Sequence, residues 1–189
     1  MEYITSSDFH FKDTAVALGK FEGIHRGHQL LMDEVKKQEL HGLRSVVFTF
    51  DRPTRLTLTG DTEYKQIYTK KERREILEKR GIDILIEHPF TKEFAALTPD
   101  RFIREVLVEK VGAKVIVVGT DFHFGKNRSG SITDLEKLEE ECGYHLIVVE
   151  KLQLNGKDIS STRIRASLEK GAMEEAKALL GRNYSVSGE

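Results

Sequence analysis

The chain has 189 residues, which is room for one domain with a substantial core and little more. Its 30 basic and 31 acidic residues leave a formal net charge of -1, so no global field draws in nucleic acid or an anionic membrane. Cys142 is the only cysteine, which excludes an internal disulfide and a cysteine-based zinc site.

Met1-Glu2-Tyr3-Ile4-Thr5 lacks the basic-then-apolar layout of a signal peptide, and no apolar run approaches a membrane span in length. The expectation is a cytoplasmic enzyme or binding domain acting on small molecules, with neither nucleic acid nor membrane as partner. The first apolar run, Ala15-Val16-Ala17-Leu18, has no polar alternation and reads as a strand buried on both faces. It runs into Gly19-Lys20-Phe21-Glu22-Gly23-Ile24-His25-Arg26-Gly27-His28, and a helical pattern over 28–40 follows. The two histidines therefore stand where a strand hands over to a helix. Unpartnered backbone N–H groups and the positive end of the helix dipole welcome a phosphate there. Imidazoles can donate to phosphoryl oxygens, and the glycines let the backbone come close. Two surface histidines near a helix start is the bland alternative. Zinc is a third reading, disfavoured because no third ligand stands at a suitable spacing.

Four more apolar runs repeat the strand signal: Ser45 to Phe50, Asp83 to Ile86, Lys114 to Val118 and His145 to Val149. Helical patterns lie between them at Lys70 to Arg80, Pro99 to Val111 and Ile132 to Cys142. The second of these starts on Pro and sets Phe102, Ile103, Val106 and Leu107 on one stripe. Gly42, Gly81, Gly112 and Gly143 follow the helices, where helix-ending glycines belong. The rhythm predicts an α/β fold with a doubly wound, mainly parallel, five-stranded sheet. Residues 158–180 predict two short helices after the last strand.

Three further segments carry candidate ligand contacts. Thr49-Phe50-Asp51-Arg52-Pro53 opens a long connection over 51–69, of the kind that often forms a lid or binding loop. Gly119 to Gly130 follows the 114–118 strand, and ligands on open α/β sheets bind beyond the carboxyl ends of strands. Ile159-Ser160-Ser161-Thr162-Arg163-Ile164-Arg165 starts a helix with hydroxyls and an arginine on one face. This suits plain helix capping and phosphate binding alike.

Taken in order, these motifs resemble the FMN adenylyltransferase (FAD synthetase) module of bacterial bifunctional riboflavin kinase/FAD synthetases. The module belongs to the H-x-G-H nucleotidyltransferase superfamily, with a Rossmann-like fold. The resemblance runs through Gly19 to Gln29, Val47 to Pro53, Pro89 to Ala95, Val117 to Gly130 and Ile159 to Gly188. H-x-G-H marks only the superfamily, whereas the pairing of G-x-D-F-x-F-G with I-S-S-T-x-I-R is specific to the flavin branch. The resemblance implies transfer of AMP from ATP to FMN with magnesium, giving FAD and pyrophosphate. It places His25, His28 and Arg165 in catalysis, and Gly19, Lys20, Phe21, Gly23, Gly27, Ser161 and Thr162 on ATP. Phe50, Pro53, Asp121, Phe122, Phe124 and Gly125 fall on the flavin and adenine side, and no direct protein ligand to the metal is expected. It also implies a module over 1–182, with 183–189 a linker into a riboflavin kinase domain that this chain lacks. The family pattern has Asn and Asp at Lys20 and Glu22, a Pro-His-Pro motif at Arg52-Pro53-Thr54, and often Arg at His123. Two other readings compete: a nucleotidyltransferase for another phosphorylated acceptor, and a non-catalytic nucleotide- or flavin-binding module.

Overall fold

A computed structural model describes residues 1–52 and 65–185. The five apolar runs form β2 (Thr14–Leu18), β3 (Arg44–Phe50), β4 (Ile84–His88), β5 (Ala113–Gly119) and β6 (His145–Val149). A further strand, β1 (Glu2–Ile4), pairs in parallel with β4 at one edge and makes the sheet six-stranded, one more than expected. Its three residues are partly or fully exposed, so apolar density did not mark it. The order is β1-β4-β3-β2-β5-β6, and every neighbouring pair is parallel.

Helices fill the connections: α1 (Arg26–Lys37), α2 (Lys70–Lys79), α3 (Lys92–Ala95), α4 (Pro99–Arg101) and α5 (Ile132–Cys142). α4 continues as a π-helix over Phe102–Lys110, so the single amphipathic helix expected there is wound more widely, but its predicted stripe is buried. Gly112 ends it at φ 67°, where a Cβ would stand 2.3 Å from the Phe11 carbonyl oxygen, so no side chain fits. After β6 come a short antiparallel pair, β7 (Gln153–Leu154) and β8 (Lys157–Asp158), and then α6 (Ser161–Glu169) and α7 (Met173–Leu180), the two helices expected at the C-terminal end.

Alternation along β2 sorts the core into two layers. Val16 and Leu18 join the apolar cluster containing the π-helix, while Ala15 and Ala17 face α1 through Leu31, Met32 and Val35. Small side chains on that face let α1 lie close to the sheet. A third cluster ties α6 and α7 to Ile67 and Tyr68. Tyr184, which the sequence reading puts in the linker, packs on that cluster and donates to the Ile67 carbonyl at 3.1 Å.

β2 lies between β3 and β5. The chain winds outwards from β2 in one direction through β3 and β4, and from β5 in the other through β6. The carboxyl ends of β2 and β5 therefore border the crevice where the winding reverses, which is where such sheets bind ligands.

Candidate active site

The turn from β2 into α1 presents the histidines. His25 is the N-cap of α1, with extended backbone, and its Nδ1 accepts the His28 N–H at 3.2 Å. Accepting at Nδ1 leaves the ring proton on Nε2, so neutral His25 keeps one donor for a ligand. The two rings stack, with centroids 3.6 Å apart and an interplanar angle of 14°. The buried Phe21 ring meets His28 edge-on at 5.0 Å. Burial, and secondarily the positive charge of Arg182, pushes His25 down to about 4. Burial, then the neighbouring His25, holds His28 well below its ordinary value. Both rings are therefore neutral at pH 7. His28 Nδ1 is buried with no hydrogen-bond partner among the described residues, a cost that points to a polar occupant. No acidic side chain stands in the first turn of α1 to oppose an anion.

A second helix end faces the same crevice. Ser160 is the N-cap of α6 and accepts the Arg163 N–H at 3.2 Å, which leaves Ser161 and Thr162 in the first turn. Arg163 turns away to Glu175, at 2.8 and 3.0 Å, and buttresses α7. Arg165 turns inward. Its Nη2 pairs with the Glu22 carboxylate and its Nε donates to the Lys65 carbonyl at 2.9 Å. The fork expected on phosphate is thus held by a carboxylate from the histidine loop.

Between these helix ends lies a cleft of about 770 Å³, the size range of nucleotide-scale pockets. Gly19, Lys20, His25, Gly27, His28, Ser161, Thr162 and Arg165 line its polar end. Phe21 and Gly23, assigned to the ATP pocket by the sequence reading, stand behind the wall instead. The Phe21 ring packs on Gly19, where a Cβ would come within 3.1 Å of it. Gly23 makes room for Ile67 and Ile164, which a Cβ would meet at 3.1 and 3.4 Å. These glycines serve the packing of the loop as much as the approach of a ligand.

The other end of the cleft is aromatic. Phe50, Asp121, Phe122, Phe124 and Gly125 line it, whereas Pro53 and Thr54 lie outside the described residues. The Gly119–Gly130 loop is stapled by reciprocal backbone bonds between Phe124 and Gly130, at 3.1 and 2.9 Å, and Phe122 stacks on Phe124 at 5.4 Å. Lys151 sits between Asp121 and Asp158, at 3.2 Å from each. Asp51 accepts the Phe90 N–H at 2.9 Å and sets that ring against Phe50, centroid to centroid 4.8 Å. Phe94, from α3, lies 5.8 Å from Phe50 and 5.9 Å from Phe102. Sequence reasoning missed Phe48, Phe90, Phe94 and Phe102 as cleft residues. Phe90 was within reach of the strand-end rule, because it lies two residues beyond the carboxyl end of β4. Among the described residues, no three His, Cys, Asp or Glu side chains cluster closely enough to hold a metal ion. Nor is any helix among them long and apolar enough to cross a membrane.

Two helix N-termini facing one switch-point crevice suit an anionic ligand such as a nucleotide. The chain belongs to the FAD synthetase family, whose model matches residues 8–163. Two relatives named "Bifunctional riboflavin kinase/FMN adenylyltransferase" are each 32% identical to it. The one from Buchnera aphidicola aligns over 93% of this chain and 57% of its own length, and the one from Listeria monocytogenes over 98% and 59%. The chain thus spans less than two thirds of these relatives. A solved structure from Streptococcus pneumoniae, described as a macrolide-efflux protein, superposes with a TM-score of 0.84 at 29% identity, covering 96% of this chain and 72% of that one.

Proposed function

We propose that this chain transfers AMP from ATP to the phosphate of FMN, releasing pyrophosphate and giving FAD. The observation that carries the reading is the division of one cleft into a phosphate-binding end built by two helix N-termini and an aromatic end suited to a flat ring system. Membership of the FAD synthetase family and the names of its longer relatives support the choice of FMN as acceptor.

In this reading an FMN phosphate oxygen attacks the α-phosphorus of ATP. A bond forms between that oxygen and the α-phosphorus, the bond from the α-phosphorus to the bridging oxygen breaks, and pyrophosphate leaves with the electron pair. A phosphate monoester is already ionised near pH 7, so no general base is needed. The protein's work is positioning and charge stabilisation. His25 and His28 donate from their rings to the phosphoryl oxygens on which charge builds, with the N–H group of Gly27 beside them. Ser161, Thr162 and Arg165 hold the β- and γ-phosphates, with Arg165 exchanging Glu22 for phosphate oxygens. Lys20 adds a charge at the rim, and Gly19 leaves the backbone accessible. Phe50, Phe90, Phe94, Phe122 and Phe124, with Asp121 and Gly125 at the border, receive the flavin and adenine rings. Magnesium would arrive as part of the MgATP substrate and would neutralise phosphate charge there. A family that works on ATP and FMN also supports the expected cytoplasmic location.

The test is incubation with MgATP labelled at the α-phosphate and FMN, with products separated by chromatography. Label in FAD, absent when the γ-phosphate carries it instead, is the expected result. Saturable nucleotide or flavin binding with no labelled FAD would contradict the reading in favour of a binding module.

A further inference from the structure

The histidine loop holds an unfavourable shape. Phe21 and Ile24 adopt left-handed backbone, φ 47° and 42°, although neither is glycine and Ile24 is β-branched. Both are fully buried. Such residues keep that conformation only where their surroundings enforce it, and such positions gather at functional sites. Ile24 precedes His25 directly, so whatever fixes its peptide fixes the first histidine ring.

The enforcing groups come from far along the chain. Arg182 spreads its fork over two successive loop carbonyls: Nη2 donates to Gly23 at 2.9 Å and Nη1 to Ile24 at 2.8 Å. Nη1 also reaches the Leu180 carbonyl at 3.3 Å, at the end of α7. Gln29 joins the same two anchors, donating to Ile24 at 2.9 Å and to Leu180 at 2.8 Å. The guanidinium lies over the Tyr68 ring at 5.1 Å, and among the described residues no carboxylate pairs with it. A half-buried cation satisfied by carbonyls and a ring keeps its full positive charge next to the loop. That charge also opposes protonation of His25.

We propose that Arg182 is a positioning residue for the transfer reaction, gripping the Gly23 and Ile24 carbonyls so that His25 and His28 meet the triphosphate in one fixed arrangement. The proposal rests on the functional reading above. The loop at the start of the chain is then complete only when the segment after α7 is docked against it.

The test compares the wild type with Arg182→Lys, which keeps the charge but loses the fork, and Arg182→Met, which loses both. The readouts are kcat for FAD formation, calorimetric Kd for MgATP, melting temperature, and NMR titration of the imidazoles. We expect kcat to fall about tenfold in the Lys variant and about 100-fold in the Met variant, as small misplacements of reacting groups do. The Kd for MgATP should change less than about threefold, because fixed geometry matters most in the transition state. The His25 titration, which also feels Asp121 and His28, should move up in Arg182→Met and stay low in Arg182→Lys. An unchanged kcat in both variants would overturn the proposal. So would a kcat loss that only follows the loss of folded protein while His25 titrates as in the wild type. If the wild type itself makes no FAD, the functional reading fails. The positioning claim is then judged on the ring resonances of His25 and His28, and unchanged shifts in Arg182→Met would refute it.

Discussion

The two ends of the cleft are built in opposite ways. The end proposed for phosphate comes from two short contiguous segments, 19–28 and 160–165, each combining a helix N-terminus with polar side chains beside it. The aromatic end is assembled from rings on β3, on the connection after β4, on the π-helix and on the loop after β5. Phosphate binding needs backbone N–H groups and a local charge, which neighbouring residues can supply together. A flat ring system needs walls on several sides, which one stretch of chain cannot supply. Each end should therefore fail separately when its own residues are changed.

The largest effect is expected at the phosphate end. His28→Ala removes a donor that acts on developing charge, and kcat for FAD formation should fall at least about 100-fold. Retention of wild-type turnover in a rapid-quench assay would show that the histidine only packs against Phe21. At the aromatic end, Phe94→Leu keeps apolar bulk but removes ring stacking. The KM for FMN should rise about five- to tenfold, with the KM for ATP steady, since aromatic contacts contribute about 0.5–1.5 kcal/mol beyond buried area. Equal rises for both substrates would erase the division between the ends.

Acid should damage the phosphate end first. His25 is held at about 4 when folded, against an ordinary 6.5, so between those values the unfolded chain binds a proton that the folded chain does not. Stability is then full above pH 6.5 and falls as the pH drops towards 4, by up to about 3 kcal/mol from this group. His25→Asn retains a capping acceptor without the titration. Urea unfolding at pH 7 and pH 4.5 should show a smaller acid loss in that variant, whereas the same loss in both proteins would remove His25 as the cause. The smallest effect belongs to Glu22→Gln, which frees the Arg165 fork from a competing carboxylate. We expect the KM for ATP to drop about two- to fourfold, in line with modest, partly exposed ion pairs. A rise would mean that Glu22 is needed to aim Arg165.

The same contrast governs how much could be read before the fold was seen. The five strands read from apolar runs, the α5 helix and both C-terminal helices follow local apolar density, period and helix-ending signals, although β6, at the far edge of the sheet, has no fully buried residue. β1 did not, because an edge strand of three partly exposed residues carries no such signal. That His25, His28, Ser161, Thr162 and Arg165 share one end of the cleft was legible because helix starts are marked locally. The Glu22–Arg165 pair and the Arg182 grip were not, because their partners stand 143 and 158–159 positions apart. Phe21 and Gly23 show the reverse error: adjacency to the motif placed them in the pocket, while packing put them behind it.

The most direct test of the divided cleft is calorimetric binding of MgATP and of FMN, each alone, to the wild type, His28→Ala and Phe94→Leu. The account predicts a crossed result, with His28→Ala weakening MgATP and sparing FMN, and Phe94→Leu weakening FMN and sparing MgATP. If either variant weakens both ligands equally, or if the pattern is exchanged, the assignment of the two ends is wrong.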